Sequence, residues 1–179
     1  MDLAGKRVLI RVDLNVPMKN GGVTDATRLR AVKNTVQDVL KAGGKPILLA
    51  HFGRPRGIRE ASMSLAPLVD DLVAAIDAPV FFVPVCVGQV AKTSIEMVRS
   101  EGVVLLENTR FHAGEEKNDP EFVKQLAELG DVYINDAFST AHRAHASTEG
   151  LAHHMPAAAG RLMQPEVHGM CRSLGQPER

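Results

Sequence analysis

Five short runs of aliphatic and β-branched residues recur along the chain, at Val8 to Val12, Pro46 to Ala50, Val80 to Val85, Val103 to Leu106 and Val132 to Ile134. Stretches with helical spacing lie between them. This alternation constrains the fold more than any other feature. Runs this short that are apolar at nearly every position suit strands covered on both faces. Parallel neighbours can be joined only by crossovers, and a helix is the usual one.

The intervening segments supply those crossovers. Leu29, Val32, Val36, Val39 and Leu40 fall on one helical face that Gly43-Gly44 should end. Leu65, Leu68, Val69, Leu72, Val73 and Ile76 form the clearest helical pattern, with Ser62 or Ser64 as its N-cap. A weaker helix is predicted from Gln89 to Arg99 on Ala91, Ile95 and Val98. Another opens at Asp119-Pro120, carries Phe122, Val123 and Leu126, and closes at Gly130. The prediction is a three-layer, Rossmann-like α/β domain, a mostly parallel sheet with helices on both faces. After Phe138 the pattern becomes a polar, His- and Ser-rich loop. Ala157 to Leu174 then reads as helical on Leu162, Met163, Val167, Met170 and Leu174, with Pro165 starting a new helix or kinking this one.

Composition excludes several classes of function. The 21 Lys plus Arg balance 21 Asp plus Glu, so the basic excess of a nucleic-acid binder is missing. The longest apolar stretch, Ala78 to Gly88, is broken by Pro79 and Pro84 and falls short of the ~20 residues of a membrane span. The N-terminus lacks the apolar run of a signal peptide. Cys86 and Cys171 form no Cys-x-x-Cys, and a reducing cytoplasm is the simplest compartment. Within the neutral total, 13 Arg outnumber 8 Lys, and Arg is the side chain suited to two-point recognition of carboxylate and phosphate. What matters is whether those arginines converge.

In open α/β sheets the ligand lies beyond the carboxyl ends of the strands. Arg11, Asp13 and Asn15 follow the first run, and His51 and Arg54 the second. Glu107, Asn108, Arg110 and His112 follow the fourth, and Asn135, Asp136, Ser139, His142, Arg143 and His145 the fifth. Closely packed cations repel unless an anion screens them, so such a rim points to a small anionic ligand. His142 and His145 have metal-ligand spacing, but no four-ligand set accompanies them and no metal is expected. Asp13 and Asp136 could form the acidic pocket of a receiver domain, a reading that leaves the arginines unexplained. Neither Gly-x-Gly-x-x-Gly nor Gly-x-x-x-x-Gly-Lys-Ser/Thr occurs, so both common nucleotide-phosphate cradles are missing.

Four of these segments carry a resemblance. Arg11-Val-Asp-Leu-Asn-Val-Pro17, His51-Phe-Gly-Arg-Pro55, Leu105-Leu-Glu-Asn-Thr-Arg-Phe-His112 and Asn135-Asp-Ala-Phe-Ser-Thr-Ala-His-Arg-Ala-His145 resemble, in order, the signatures of phosphoglycerate kinases. The match runs from Gly5 to about Met163 and corresponds to the N-terminal half of that enzyme. It implies reversible phosphoryl transfer between ATP and the carboxylate of 3-phosphoglycerate, giving 1,3-bisphosphoglycerate. His51, Arg54, Arg110 and Arg143 would hold the 3-phosphate. Asp13 and Asn15 would orient the hydroxyl and carboxylate end, and Arg28 would be catalytic, stabilising the phosphoryl group in flight. Residues 1–160 would be the substrate domain and 161–179 the start of an interdomain helix. Mg2+ and ATP or ADP would be bound by a C-terminal domain missing here, leaving a monomeric cytoplasmic fragment that is inactive alone, with no nucleic-acid or membrane partner. The apolar face of the interdomain segment would then be partly exposed.

The family usually carries Ser where Ala50 stands and Gly where Ser139 stands, so a side chain at 139 is expected to strain any positive-φ backbone there. Arg161, Gln164 and Pro165 also depart from the usual pattern and suggest local irregularity. The alternative function is a free-standing module that binds a small anion and has no catalytic partner.

Overall fold

The computed structural model describes residues 1–19, 21–99, 101–167 and 169. Its centre is a six-stranded, wholly parallel sheet. Strand β1 is Arg7–Arg11, a small antiparallel hairpin follows from β2 (Met18–Lys19) and β3 (Gly22–Val23), and β4 is Lys45–Leu49. Then come β5 (Val80–Val83), β6 (Val103–Leu106), β7 (Val132–Asn135) and β8 (Ala157–Ala159). The sheet order is β5-β6-β4-β1-β7-β8, so β1 lies between β4 and β7 in the middle. All five predicted runs are strands.

Strand alternation explains why these runs are apolar throughout. Val8 and Ile10 of β1, Leu48 of β4, Leu105 of β6 and Ile134 of β7 point into one hydrophobic layer. Leu9, Ile47, Leu49, Val104, Leu106 and Tyr133 point into the other. Helices α1 (Thr27–Ala31), α2 (Lys33–Lys41) and α3 (Val69–Ile76) cover the first layer through Leu29, Val32, Val36, Val39, Leu72 and Ile76. The short α5 (Ala113–Glu116) follows β6. Helices α4 (Gly88–Met97), α6 (Pro120–Ala127) and α7 (Leu151–His154) cover the second layer, with Ala91, Ile95, Phe122, Val123, Leu126 and Leu151. This is the expected three-layer α/β architecture.

Local signals act as anticipated at several boundaries. The amides of Gly43 and Gly44 donate to Leu40 O and Val39 O and end α2. The expected serine cap is not formed: Ser64 Oγ accepts from the amide of Ala66, but Leu65 is the N-cap of the 3-10 turn Ala66–Leu68 and Leu68 that of α3, neither with a side-chain cap. Asp119 accepts from the amides of Glu121 and Phe122 at the start of α6. The predicted first helix divides at Val32, which keeps helical dihedrals, so its apolar face stays continuous.

The helix expected to begin at Ala157 is overturned. Ala157–Ala159 is not the start of a helix but an edge strand, paired with β7 as Tyr133↔Ala157, Ile134↔Ala158 and Asn135↔Ala159. Alanine favours helices, and pairing with β7 overrides that preference. Pro156 sets the direction, because it biases the residue before it toward extended backbone; Met155 has φ −148 and ψ 164. Residues 163–167 are helical and include Pro165, while Met170 and Leu174 of the predicted pattern, like Cys171, lie outside the described residues. Leu162 and Val167 are exposed.

The chain is held as it leaves β8. Gly160 N donates to Asn135 O at 2.8 Å, Leu162 N donates to Asp136 Oδ1 at 2.8 Å, and Arg161 N donates to Thr35 Oγ1 at 2.9 Å. A Cβ on Gly160 would overlap the Asp136 carboxylate, so only glycine fits this crossing. Arg161 Nε also reaches Asp38 Oδ2 at 2.6 Å. Replacing Asp119 by Ala should cost about 1 kcal/mol of unfolding free energy, read as a lower urea midpoint at constant m-value.

Candidate functional site

All six strands of the sheet run parallel, so their carboxyl ends share one edge. Segments leaving β1 and β4 turn toward the first helical layer, and those leaving β6 and β7 toward the second. Crevices therefore open between β4 and β6 and between β1 and β7, where an open α/β sheet binds its ligand. Asp13 and Asn15 follow β1, His51 and Arg54 follow β4, Arg110 follows β6, and Arg143 follows β7. Arg28 lies in α1.

Beneath this edge Arg11, the last residue of β1, is almost wholly buried. It shares the face of Leu9, and register pairs it with Leu49. His51, two residues past Leu49, therefore comes to the same side. Arg11 Nη2 lies 2.7 Å from His51 Nδ1, Nε donates to Ser147 Oγ at 3.0 Å, and Nη1 donates to Val12 O. Ser147 Oγ in turn donates to Glu115 Oε1, and Ser147 N to Oε2 at 3.1 Å. Tyr133 OH donates to Ser147 O at 2.9 Å. Glu115 has no exposed surface, so the Arg11 charge is balanced inside the protein through one serine. Burial lowers the pKa of Arg11, opposed chiefly by Glu115. For His51, burial first and then the charges of Arg11, Arg110, Arg143 and His145 push the pKa down to about 2. The ring is neutral at pH 7.

Beside the other crevice, Asp13 Oδ1 accepts from Asn15 N at 3.0 Å and Oδ2 accepts from Ser139 Oγ at 2.7 Å. Arg28 Nη1 lies 3.3 Å from Asp13 Oδ2 and donates to Asn15 O at 2.6 Å. Asp13 thus pairs with Arg28 and not with its neighbour Arg11. The expected strain at Ser139 is not found: Ser139 is not among the residues with positive φ, and it sits in the 3-10 turn Phe138–Thr140 with its hydroxyl on Asp13. Asp136 Oδ1 accepts from the amide of Leu162 while Asp13 pairs with Arg28, so the two aspartates are engaged by different partners.

Arg110 is clamped by backbone. Its Nη1 donates to Gly53 O at 2.9 Å, its amide to Asn108 Oδ1 at 3.1 Å, and its carbonyl accepts from Gly57 N at 3.0 Å. Gly57 has φ +81 and packs so closely that a Cβ would lie 2.8 Å from Ala113 Cα. Asn108 Nδ2 holds the carbonyls of Phe52 and Met63, and Asn15 Oδ1 accepts from Gly53 N at 3.1 Å. The loop bearing His51 and Arg54 is therefore fixed from β1 and β6 together. Arg110 Nε lies 3.3 Å from Glu116 Oε1 yet makes no hydrogen bond. Arg143 touches His142 Nε2, Arg54 is exposed, and neither has a carboxylate within ion-pair distance among the described residues.

Comparison with known proteins decides the family. A family model described as phosphoglycerate kinase matches residues 1–179. The chain belongs to the phosphoglycerate kinase family. It is 58% identical over 180 residues to a phosphoglycerate kinase of Cereibacter sphaeroides and 56% identical over 179 residues to one of Xanthobacter flavus. In both cases the alignment takes in 100% of this chain and 45% of the relative. The solved phosphoglycerate kinases of Coxiella burnetii and Pyrococcus horikoshii OT3 superpose with TM-scores of 0.84 and 0.88 at 38% and 31% identity. Each covers all of this chain and 45% of that chain. This phosphoglycerate kinase family member thus spans less than half the length of the relatives it matches.

The Mg2+ that the family implies does not fit this rim. Cations and a neutral imidazole dominate it, Asp13 is already engaged by Arg28 and Ser139, and among the described residues no group of three or more His, Cys, Asp or Glu could hold a metal ion. No helix among them is long and apolar enough to cross a membrane. Sequence reasoning counted Arg11 with the rim, but the structure buries it beneath the rim against His51, a contact that strand parity would have shown. Nothing in the sequence ties Glu115 or Ser147 to them.

Acid should destabilise this fold through His51. The unfolded imidazole takes a proton below about pH 6.5, whereas the folded one stays neutral, so stability is complete above that pH and falls as pH drops. The expected slope is about 1.4 kcal/mol per pH unit from this residue. Urea titrations at about pH 6.5 and pH 5 should show it, and His51→Asn should flatten the profile.

Proposed function

We propose that this chain holds the acceptor site of a phosphoglycerate kinase, which moves a phosphoryl group between ATP and the carboxylate of 3-phosphoglycerate in glycolysis. The observation that carries the reading is a neutral His51, contacted by Arg11 at 2.7 Å and acted on by the charges of Arg110 and Arg143, beside Arg54 and Arg143, which lack carboxylate partners among the described residues. Neighbouring cations repel, so such a rim favours an anion that screens them. The acceptor substrate carries about three negative charges, its phosphate being largely dianionic above pH 6.

The roles follow from chemistry. Arg54, Arg110, Arg143 and His51 grip the 3-phosphate through charge-assisted hydrogen bonds. Asp13 and Asn15 orient the hydroxyl and carboxylate end. The carboxylate has a pKa near 3.5 and needs no general base at pH 7, so catalysis rests on positioning and electrostatics. Arg28, half-exposed and tethered to Asp13 and Asn15, is placed to stabilise charge on the group in transfer, as arginine fingers do. Residues 1–160 form the substrate domain and 161–179 begin the connection to the nucleotide domain. The length of the relatives that this chain does not span supplies ATP or ADP and Mg2+, so these 179 residues alone bind acceptor or 1,3-bisphosphoglycerate without turnover, as a cytoplasmic monomer.

Titration with 3-phosphoglycerate should shift amide resonances around His51, Arg54, Arg110 and Arg143, and ATP should move few. Arg54→Ala should weaken binding roughly 10- to 100-fold, the worth of a hydrogen bond to a charged group, with Tm nearly unchanged because the side chain is exposed. Tight ATP binding without 3-phosphoglycerate binding would refute the reading, and a matching loss of Tm would make Arg54 structural.

A further inference from the structure

Arg11 lies beneath the open rim and reaches it only through His51, and it is among the largest fully buried side chains of the described residues. Its contact with His51 has a chemical consequence beyond packing. A guanidinium has five donors and no acceptor. At 2.7 Å from Arg11 Nη2, His51 Nδ1 can only offer its lone pair. A neutral ring with a bare Nδ1 carries its proton on Nε2, and an imidazolium would set two donors against each other.

We infer that Arg11 is a positioning residue that holds His51 as the neutral Nε2–H tautomer, so that the rim grips its anion with an uncharged donor whose state does not change between about pH 8 and pH 5. Arg11 is kept in place for this by Ser147 and, behind it, Glu115. The other charged groups around the ring act in the same direction. The charges of Arg110, in the segment after β6, and of Arg143 and His145, in the segment after β7, act on the ring, and each disfavours a second proton. Glu115 is the counter-charge on the far side of Arg11 and is directed at Ser147 instead of the ring. The arrangement fixes the number of cations on the rim and leaves phosphate recognition to arginines whose charge is constant, with His51 supplying direction. Its meaning for binding rests on the acceptor-site reading above, whereas the tautomer itself does not.

The test is long-range 1H–15N correlation of ring-labelled histidine in the ligand-free protein. His51 should show Nδ1 as an unprotonated nitrogen and Nε2 as a protonated one, with both shifts constant from about pH 8 to pH 5. An Nδ1–H ring, a tautomer mixture, or a titration centred near pH 6.5 would overturn the inference. In Arg11→Met the ring should become a mixture that titrates toward that ordinary value, and 3-phosphoglycerate affinity should fall roughly tenfold. A single Nε2–H tautomer persisting in the folded variant would show that Arg11 is not what sets it. If the variant fails to fold, the wild-type spectrum decides alone. A wild-type ring that behaves as expected in a protein that ignores 3-phosphoglycerate would sink the acceptor reading and leave the tautomer assignment standing.

Discussion

The positive charge of Arg11 lies at the end of the central strand with almost no contact with water. Desolvating a guanidinium costs several kcal/mol unless its donors are met and its charge is answered. Here Val12 O, Ser147 Oγ and His51 Nδ1 take the donors, and Glu115 answers the charge through Ser147. Those partners come from β1, the segments after β4 and β7, and α5. Losing any one leaves an unsatisfied group inside the protein, so the four segments are obliged to assemble in one arrangement. The rim is the outer surface of that obligation.

The arginines therefore need not be treated as loose surface charges that gather when a ligand arrives. Asn108 holds the loop after β4, and Gly53 joins Arg110 to Asn15 through its own carbonyl and amide. Asp13 is shared between Arg28 and Ser139. Much of the entropy of ordering the site has been spent in folding, which leaves more of the contact energy for affinity. Arg54 and Arg143 are the exceptions, being the least tethered.

The scaffold was legible in the sequence because burial on both faces leaves an unmistakable run of aliphatics, as at Val8 to Val12 and Val103 to Leu106. The rim was legible because topology sends all carboxyl ends to one edge, so that residues distant in sequence, such as Asp13 and Ser139, could be placed on one side of the sheet without coordinates. β8 was not legible. Three alanines carry no strand signal of their own, and only the pairing offered by β7 makes them one. The support beneath the rim was hidden for another reason: Glu115 and Ser147 are polar residues in segments that read as solvated, and their burial is a property of how three elements meet. Ser139 shows the limit of comparison with a family pattern, since a side chain expected to strain the loop instead donates to Asp13.

The anchoring of the chain after β8 reaches further than the edge of the sheet. Asp136 grips the amide of Leu162, Asn135 grips that of Gly160, and three residues past Asp136 the hydroxyl of Ser139 holds Asp13. The end of β7 thus serves two neighbours at once: Asn135 and Asp136 hold the backbone that leaves β8, and the turn that follows holds the Asp13–Arg28 pair through Ser139. One short stretch, residues 135–139, is therefore the shared wall between the exit of the chain and the crevice beside β1, and a substitution within it is felt on both sides.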